Sequence, residues 1–276
     1  MGNLRRVSSA LVMVVAAAAC GDDGASNPDA LVIIDAANPD APNPDAPPPI
    51  DAPNYDFSCY QNQAPTPAAT VTISGTVQEF SGTSIAPAMG ATVVTCTGDC
   101  QGANNLGSVG PTTVNGQFTT APITTNGTAV EGYLRITKAG QWATYMYPDA
   151  PLAANVAGIP VLLLNNLIVS NLHLLITDEP QAAGNGLLAV AVTDCSTPPM
   201  GIDDATVTVT QNGVPVDDEP VGAGAASPQA AGAFLVTNVP PGDTTVTATY
   251  NGMTFRTHVV RSYADALTIT QVKPGF

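Results

Sequence analysis

From Val71 onward, short runs rich in Val, Thr and Ile alternate with turn residues, which predicts a succession of half-buried strands. In Thr206-Val207-Thr208-Val209-Thr210 the valines fall on one face and the threonines on the other. Thr245-Val246-Thr247-Ala248-Thr249 has the same period. Pro240-Pro241-Gly242-Asp243 predicts a turn before that strand. Asn251-Gly252, both tolerant of positive φ, predicts a tight hairpin joining Val246–Tyr250 to Met253–Val260. Between Val161 and Ile176 the period changes. Leu164, Leu167, Ile168, Leu172 and Leu175 recur at helical spacing, so a short amphipathic helix is expected over about 166–176. Asn165 or Asn166 would be its N-cap, and a strand reaching Leu164 would precede it. The polar Asn165, Asn166, Ser170, Asn171 and His173 exclude a membrane span here; packing between domains is the expected role.

The strand pattern occurs twice. Thr72–Val77 matches Leu187–Val192, Gly90–Val94 matches Asp204–Thr208, Asn115–Phe118 matches Ala231–Phe234, and Leu134–Gly140 matches Val246–Gly252. The blocks keep their order at offsets of 112 to 116 residues, which predicts two related β domains of sandwich size. The recurring elements are Gly75-Thr76-Val77, Gly90-Ala91-Thr92-Val93, and a Gly-x-Phe strand at Gly116-Gln117-Phe118 and Gly232-Ala233-Phe234. A Pro-Gly turn and hairpin follow at Pro241-Gly242 and Asn251-Gly252. In these residues the chain resembles the prealbumin-like modules known as carboxypeptidase regulatory-like domains, over about 70–165 and 185–273. The first repeat departs from the pattern by carrying Asn126-Gly127 in place of the Pro-Gly turn. The resemblance implies seven-stranded sandwiches used as accessory, binding or spacer modules. No His-x-x-Glu pair of a metallocarboxypeptidase occurs.

At the N-terminus, Arg5 and Arg6 precede an uncharged run from Val7 to Ala19, too short to span a bilayer and matched to the h-region of a signal peptide. Ala17, Ala18 and Ala19 lead into Cys20 and together resemble the lipobox of bacterial lipoproteins. That resemblance implies lipidation of Cys20 and anchoring of the chain to a membrane by its buried acyl carbons. Ordinary cleavage with an incidental Cys20 is the alternative. Residues 20–56 then read as a disordered Pro/Asp/Ala-rich tether, with Asn27-Pro28-Asp29-Ala30 echoed at Asn38–Ala41 and Asn43–Ala46. Leu31-Val32-Ile33-Ile34 interrupts it, either as a run that docks on a domain or as a solitary apolar patch. The Asp repeats lack the ligand spacing of a calcium loop. The expected organisation is a signal peptide over 1–19, the tether over 20–56, a β-sandwich over 57–165, a connector with a short helix over 166–185, and a second β-sandwich over 186–276.

Composition narrows the function. The 22 acidic residues against 7 basic ones leave a net charge of −15, which argues against nucleic acid and against a polybasic membrane footprint. Four cysteines remain beside Cys20: Cys59, Cys96, Cys100 and Cys195. In an exported protein an even count points to two disulfides, and three pairings are open. Gly98 makes a local Cys96–Cys100 bridge feasible, which would leave Cys59 for Cys195. A zinc site on Cys96 and Cys100 lacks further soft ligands.

No nucleophile elbow, zinc-binding helix or phosphate loop occurs, and no cofactor or metal is expected. His173 reads as structural, and His258 is expected on an exposed strand face with Thr254 and Arg256. Asp203-Asp204 and Asp217-Asp218-Glu219 read as solvated turns. The aromatic concentration is Trp142–Tyr147. On a strand, Trp142 and Met146 share one face and Tyr145 and Tyr147 the other; one face belongs to the core, and the other is a candidate surface for a sugar or a protein partner. The expected function is that of a non-enzymatic, lipid-anchored envelope protein acting as a binding or structural module. An accessory carbohydrate- or peptide-binding subunit and a hydrolase with an unrecognised site are the competing readings.

Overall fold

The computed structural model describes residues 54–60, 66–80, 84–177, 180–216, 220–224 and 230–275. The signal peptide, Cys20, the tether up to residue 53, and Asp217–Glu219 lie outside the described residues. The described chain is nearly all β. The first half contains β1 (Thr70–Val71), β2 (Ile73–Phe80), β3 (Ile85–Pro87), β4 (Thr92–Cys96), β5 (Asn105–Val109), β6 (Gln117–Thr119), β7 (Ile123–Thr124), β8 (Tyr133–Thr137), β9 (Ala143–Tyr147) and β10 (Val156–Leu163). Helix α1 (Asn166–Thr177) follows. The second half contains β11 (Gly186–Val192), β12 (Thr206–Gln211), β13 (Val214–Pro215), β14 (Val221–Gly222), β15 (Ala233–Val239), β16 (Gly242–Tyr250), β17 (Met253–Thr254), β18 (His258–Ser262) and β19 (Ala266–Val272).

The two halves share one pairing pattern. In the first, β2 lies between parallel β10 and antiparallel β6, while β8 lies between antiparallel β4 and β9. In the second, β11 lies between parallel β19 and antiparallel β15, while β16 lies between antiparallel β12 and β18. The register agrees as well. Gly75 faces Phe118 where Val190 faces Phe234, Val93 faces Ile136 where Val207 faces Ala248, and Leu134 faces Met146 where Val246 faces His258. These pairs are separated by the same offsets that align the repeats in sequence.

The halves then join edge to edge. β9 of the first pairs in parallel with β19 of the second, from Ala143 opposite Ala266 to Tyr147 opposite Thr270. The outcome is one eight-stranded sheet in the order β14-β15-β11-β19-β9-β8-β4-β5. The remaining sheets cover it from opposite sides. On one face, Val93, Leu134 and Ile136 pack against Val77, Val161 and Leu163 of the β10-β2-β3 sheet. On the other, Leu188, Val190 and Val192 pack against Val207, Val246 and Val260 of the second half's own sheet. Each half is therefore a two-layer sandwich, closed by apolar area removed from water.

Helix α1 covers the face that the second half leaves open. Asn165 caps it, its Oδ1 accepting from the Ile168 amide at 2.9 Å. Val169 and Leu172 are buried with Leu187, Leu235 and Leu267, whereas Leu167, expected on the apolar stripe, is 68% exposed. The inward face is formed by Ile168, Val169, Leu172 and His173.

Two glycines hold equivalent close approaches. Gly116 and Gly232 have φ of 72° and 71°, and their carbonyls accept from the Val77 and Val192 amides at 2.8 and 2.7 Å. A Cβ on either would stand 2.2 Å from the carbonyl oxygen of that same valine. Only glycine tolerates both the positive φ and the contact.

Candidate functional site

The N-terminal segment is tied to the second half. The Asp56 amide donates to Asp194 Oδ2 at 2.9 Å, and the Cys195 amide donates to the Asp56 carbonyl at 2.8 Å. Cys59 is bonded to Cys195, with a Cα–Cα distance of 5.6 Å. Tyr55 and Phe57 pack against Tyr250, at ring-centroid distances of 5.4 and 5.8 Å. Asp194 is buried and accepts further bonds at Oδ1 from the Ser196 amide, the Ser196 hydroxyl and the Met200 amide. Burial alone would raise its pKa; these donors favour the carboxylate and hold it below its ordinary value. The second bridge, Cys96–Cys100, closes the turn after β4 with a Cα–Cα distance of 4.8 Å.

The structure separates the aromatic residues singled out in the sequence. Trp142 is buried beneath α1, and its indole N–H donates to Asn166 Oδ1. With Met146, which packs into the first core, it forms the inward face. Tyr145 and Tyr147 lie on the opposite face beside Tyr133, and Tyr263 of the second half completes the cluster. The Tyr145 and Tyr263 rings stack at 3.7 Å, Tyr133 and Tyr147 stack at 4.8 Å, and the Tyr263 and Tyr133 hydroxyls are 3.1 Å apart. The Arg261 guanidinium stands 5.9 Å from the Tyr263 centroid. Burial pushes the Tyr147 hydroxyl up to about 12, and Tyr133 and Tyr263 are raised for the same first cause. The rings spend their faces on one another. They cement the junction, with Tyr133 buried and Tyr145, Tyr147 and Tyr263 half-buried.

A concave feature lies beside that junction, with Tyr133 and Tyr147 among its lining. A groove of about 600 Å3 runs between the ends of β9 and β10 and the flank of β19. Its walls are apolar: Ile73, Leu134, Met146 and Ile159 from the first half, with Ala191 and Ile269 from the second. The connection from β9 to β10, residues 148–155, forms its rim. That rim is pinned at several points. Lys273 Nζ is paired with Asp149, Arg256 Nη1 donates to the Asp149 carbonyl at 3.1 Å, and Arg256 Nη2 meets Glu131 at 3.2 Å. Leu152 bridges to Val130, and Asn155 Oδ1 accepts from the Thr72 amide at 2.9 Å. Nothing in the periodicity signals this groove; the one trace in the sequence is Pro148-Asp149-Ala150-Pro151, which lengthens the connection.

Other expected positions fall into structural roles. His258 is not on an exposed face. The strand pattern breaks at residues 255–257, which shifts the alternation so that Phe255 and His258 both point inward. His258 Nδ1 lies 2.7 Å from the Thr270 hydroxyl, and burial, then Arg256, holds its pKa below the ordinary value. His173 is buried on α1. Asp203 Oδ1 accepts from the Gly232 amide at 2.6 Å, so it secures a turn. Among the described residues, no group of three or more His, Cys, Asp or Glu could hold a metal ion, and no helix is long and apolar enough to cross a membrane.

No protein-family model matches the chain, and no curated protein matches it. Among solved structures it is similar to the shaft pilin SpaA of Lactobacillus rhamnosus GG, at 14% identity and a TM-score of 0.25, covering 75% of this chain and 98% of that one. It is also similar to a minor pilin of Streptococcus agalactiae, at 10% identity and a TM-score of 0.23, covering 75% and 96%. A streptococcal ancillary pilin is matched at 12% identity and a TM-score of 0.22, covering 75% and 62%.

Proposed function

We propose that the chain is a lipid-anchored bacterial envelope protein that works as a non-enzymatic binding or structural module. In this reading the chain is acylated at Cys20, spaced from the membrane by the tether to residue 56, and carries prealbumin-like sandwiches over 57–165 and 186–276 with a helical connector over 166–185. The observation that carries it is the continuous eight-stranded sheet, which joins two duplicated sandwiches into one body through the β9–β19 ladder. Such a body presents surfaces in fixed relation, which suits display rather than turnover. His258, the base considered for a hydrolase, is buried against Thr270, which removes the main support for catalysis at that residue.

The groove favours a second, narrower reading: an accessory subunit that binds a peptide or a carbohydrate. Its size and apolar walls support a peptide over a sugar, because a sugar needs polar partners and open ring faces, and the tyrosine faces are occupied. The test has two parts. Labelled palmitate should enter the wild-type protein and not a Cys20→Ala variant; equal labelling of both removes the anchor. Pull-down from solubilised envelopes with the full chain should retain a defined protein or glycan; retention of none leaves the structural role alone.

A further inference from the structure

The groove and the start of the ordered fold are neighbours. Asp56 is bonded to Asp194, Asp194 to the Met200 amide, and Pro199 lines the groove. Gln271, also in the lining, donates to Thr193 Oγ1, beside that same carboxylate. Asp56 is thus linked through Asp194 to the segment that supplies Pro199 to the groove lining. The groove asks for aliphatic side chains. Its one charged lining residue, Asp149, is paired with Lys273, while Ile73, Met146, Ile159 and Ile269 are left facing it.

In the sequence between Cys20 and Asn54, one run has this chemistry: Leu31-Val32-Ile33-Ile34, flanked by Asp29 and Asp35. The twenty residues from Asp35 to Asn54 can span up to about 65 Å when extended, so reach is ample. A run tethered this closely meets the groove at an effective concentration on the order of millimolar, without any partner.

We infer that Leu31–Ile34 of this same chain docks in the groove between β9, β10 and β19. The docked run draws the N-terminal segment back against the body and shortens the spacer between Cys20 and the sandwiches. The groove is then a self-occupied site, and any external ligand has to displace this run. The docking stands independently of whether Cys20 is acylated.

The test uses the full chain with 13C-labelled Ile and Met methyls. In a Val32→Asp/Ile33→Asp variant, the Met146, Ile159 and Ile269 methyl resonances should move from their wild-type positions, while Ile202, buried in the second core, stays put. A peptide of residues 29–36 added to the variant should return them. In wild type, amides 31–34 should exchange about ten-fold more slowly than in a variant with Ile269→Lys. Identical methyl spectra for wild type and the double-Asp variant overturn the inference. So do groove resonances that depend on wild-type concentration, which would make a second copy the occupant, and a co-purifying apolar molecule that fills the groove in both proteins. The unmoved Ile202 resonance shows that the variant remains folded.

Discussion

The first half ends with β9, an eight-residue connection over 148–155 and β10; the second ends with β18, a three-residue connection over 263–265 and β19. The ladders on either side are equivalent residue for residue, yet the consequences differ. The short connection holds β18 and β19 together, and His258 reaches Thr270 across the gap. The long one lets β9 and β10 diverge, so Met146 and Ile159, which occupy the matching places, line a groove instead. A repeated framework can thus keep its shared ladders and still acquire a cavity, because loop length is tolerated where ladder register is not.

The outer edges differ in the same way. β19 is hydrogen-bonded on both sides, to β11 and β9, whereas β10 has β2 on one side. The far edge of β10 is blunted. Gly158, at φ 75°, sits in a register break between Val156 and Ile159. The Leu162 and Leu164 carbonyls point away from β2 and accept from Thr144 Oγ1 and the Trp142 amide. By two-residue alternation, Pro160 offers its nitrogen on that side and has no hydrogen to donate. Bulges and proline protect an edge from pairing with another strand, so the mode of joining used once within the chain is not open to repetition at β10.

Substitutions at the bridges and at paired positions test the equivalence of the two halves. The largest effect is expected from the bridges. Replacing Cys59 and Cys195 by Ala should cost about 5 kcal/mol in the chain-entropy model, against about 2 kcal/mol for Cys96 and Cys100, whose loop is short. Denaturant midpoints should rank the two double variants in that order. Equal losses would show that the long bridge constrains little. Next come the paired glycines. Gly116→Ala and Gly232→Ala should each lose about 3 kcal/mol, since both meet a carbonyl oxygen at a positive φ. A large loss in one half only would deny their equivalence. Asn165→Ala removes the cap of α1 and should cost about 1 kcal/mol in thermal unfolding.

The smallest effect concerns His258. Its folded pKa lies below the unfolded value of 6.5, chiefly through burial and Arg256, with Glu131 and Asp149 opposing. The unfolded chain then binds the proton more readily, so stability is intact above pH 6.5 and declines as the pH falls through that value toward the folded pKa. His258→Met, which writes the first half's residue into the second, should flatten this decline between pH 7 and 5. An unchanged slope would place the titration elsewhere.

Much of the fold is legible in the residues. Alternating Val and Thr mark β12 and β16, Asn251-Gly252 marks its turn, and the leucine spacing marks α1 and its cap. The repeat blocks fall at equivalent ladder positions in the two halves, where a slip of one residue would turn an apolar face outward. The β9–β19 pairing is not legible, since a backbone ladder between distant edges leaves no imprint on side-chain periodicity. His258 is misplaced by sequence because the alternation slips at 255–257, where no glycine or proline announces a break. The groove escapes notice because a cavity is made by what the chain fails to fill.

The Cys59–Cys195 bridge also decides how the molecule bears a pull. Tension arriving along the N-terminal segment reaches Cys59 and crosses covalently to Cys195, so it enters the second half directly. Residues 60–194 lie within the covalent loop that this bridge closes. The first sandwich, and the groove wall it supplies, is therefore bypassed by the covalent route of that pull.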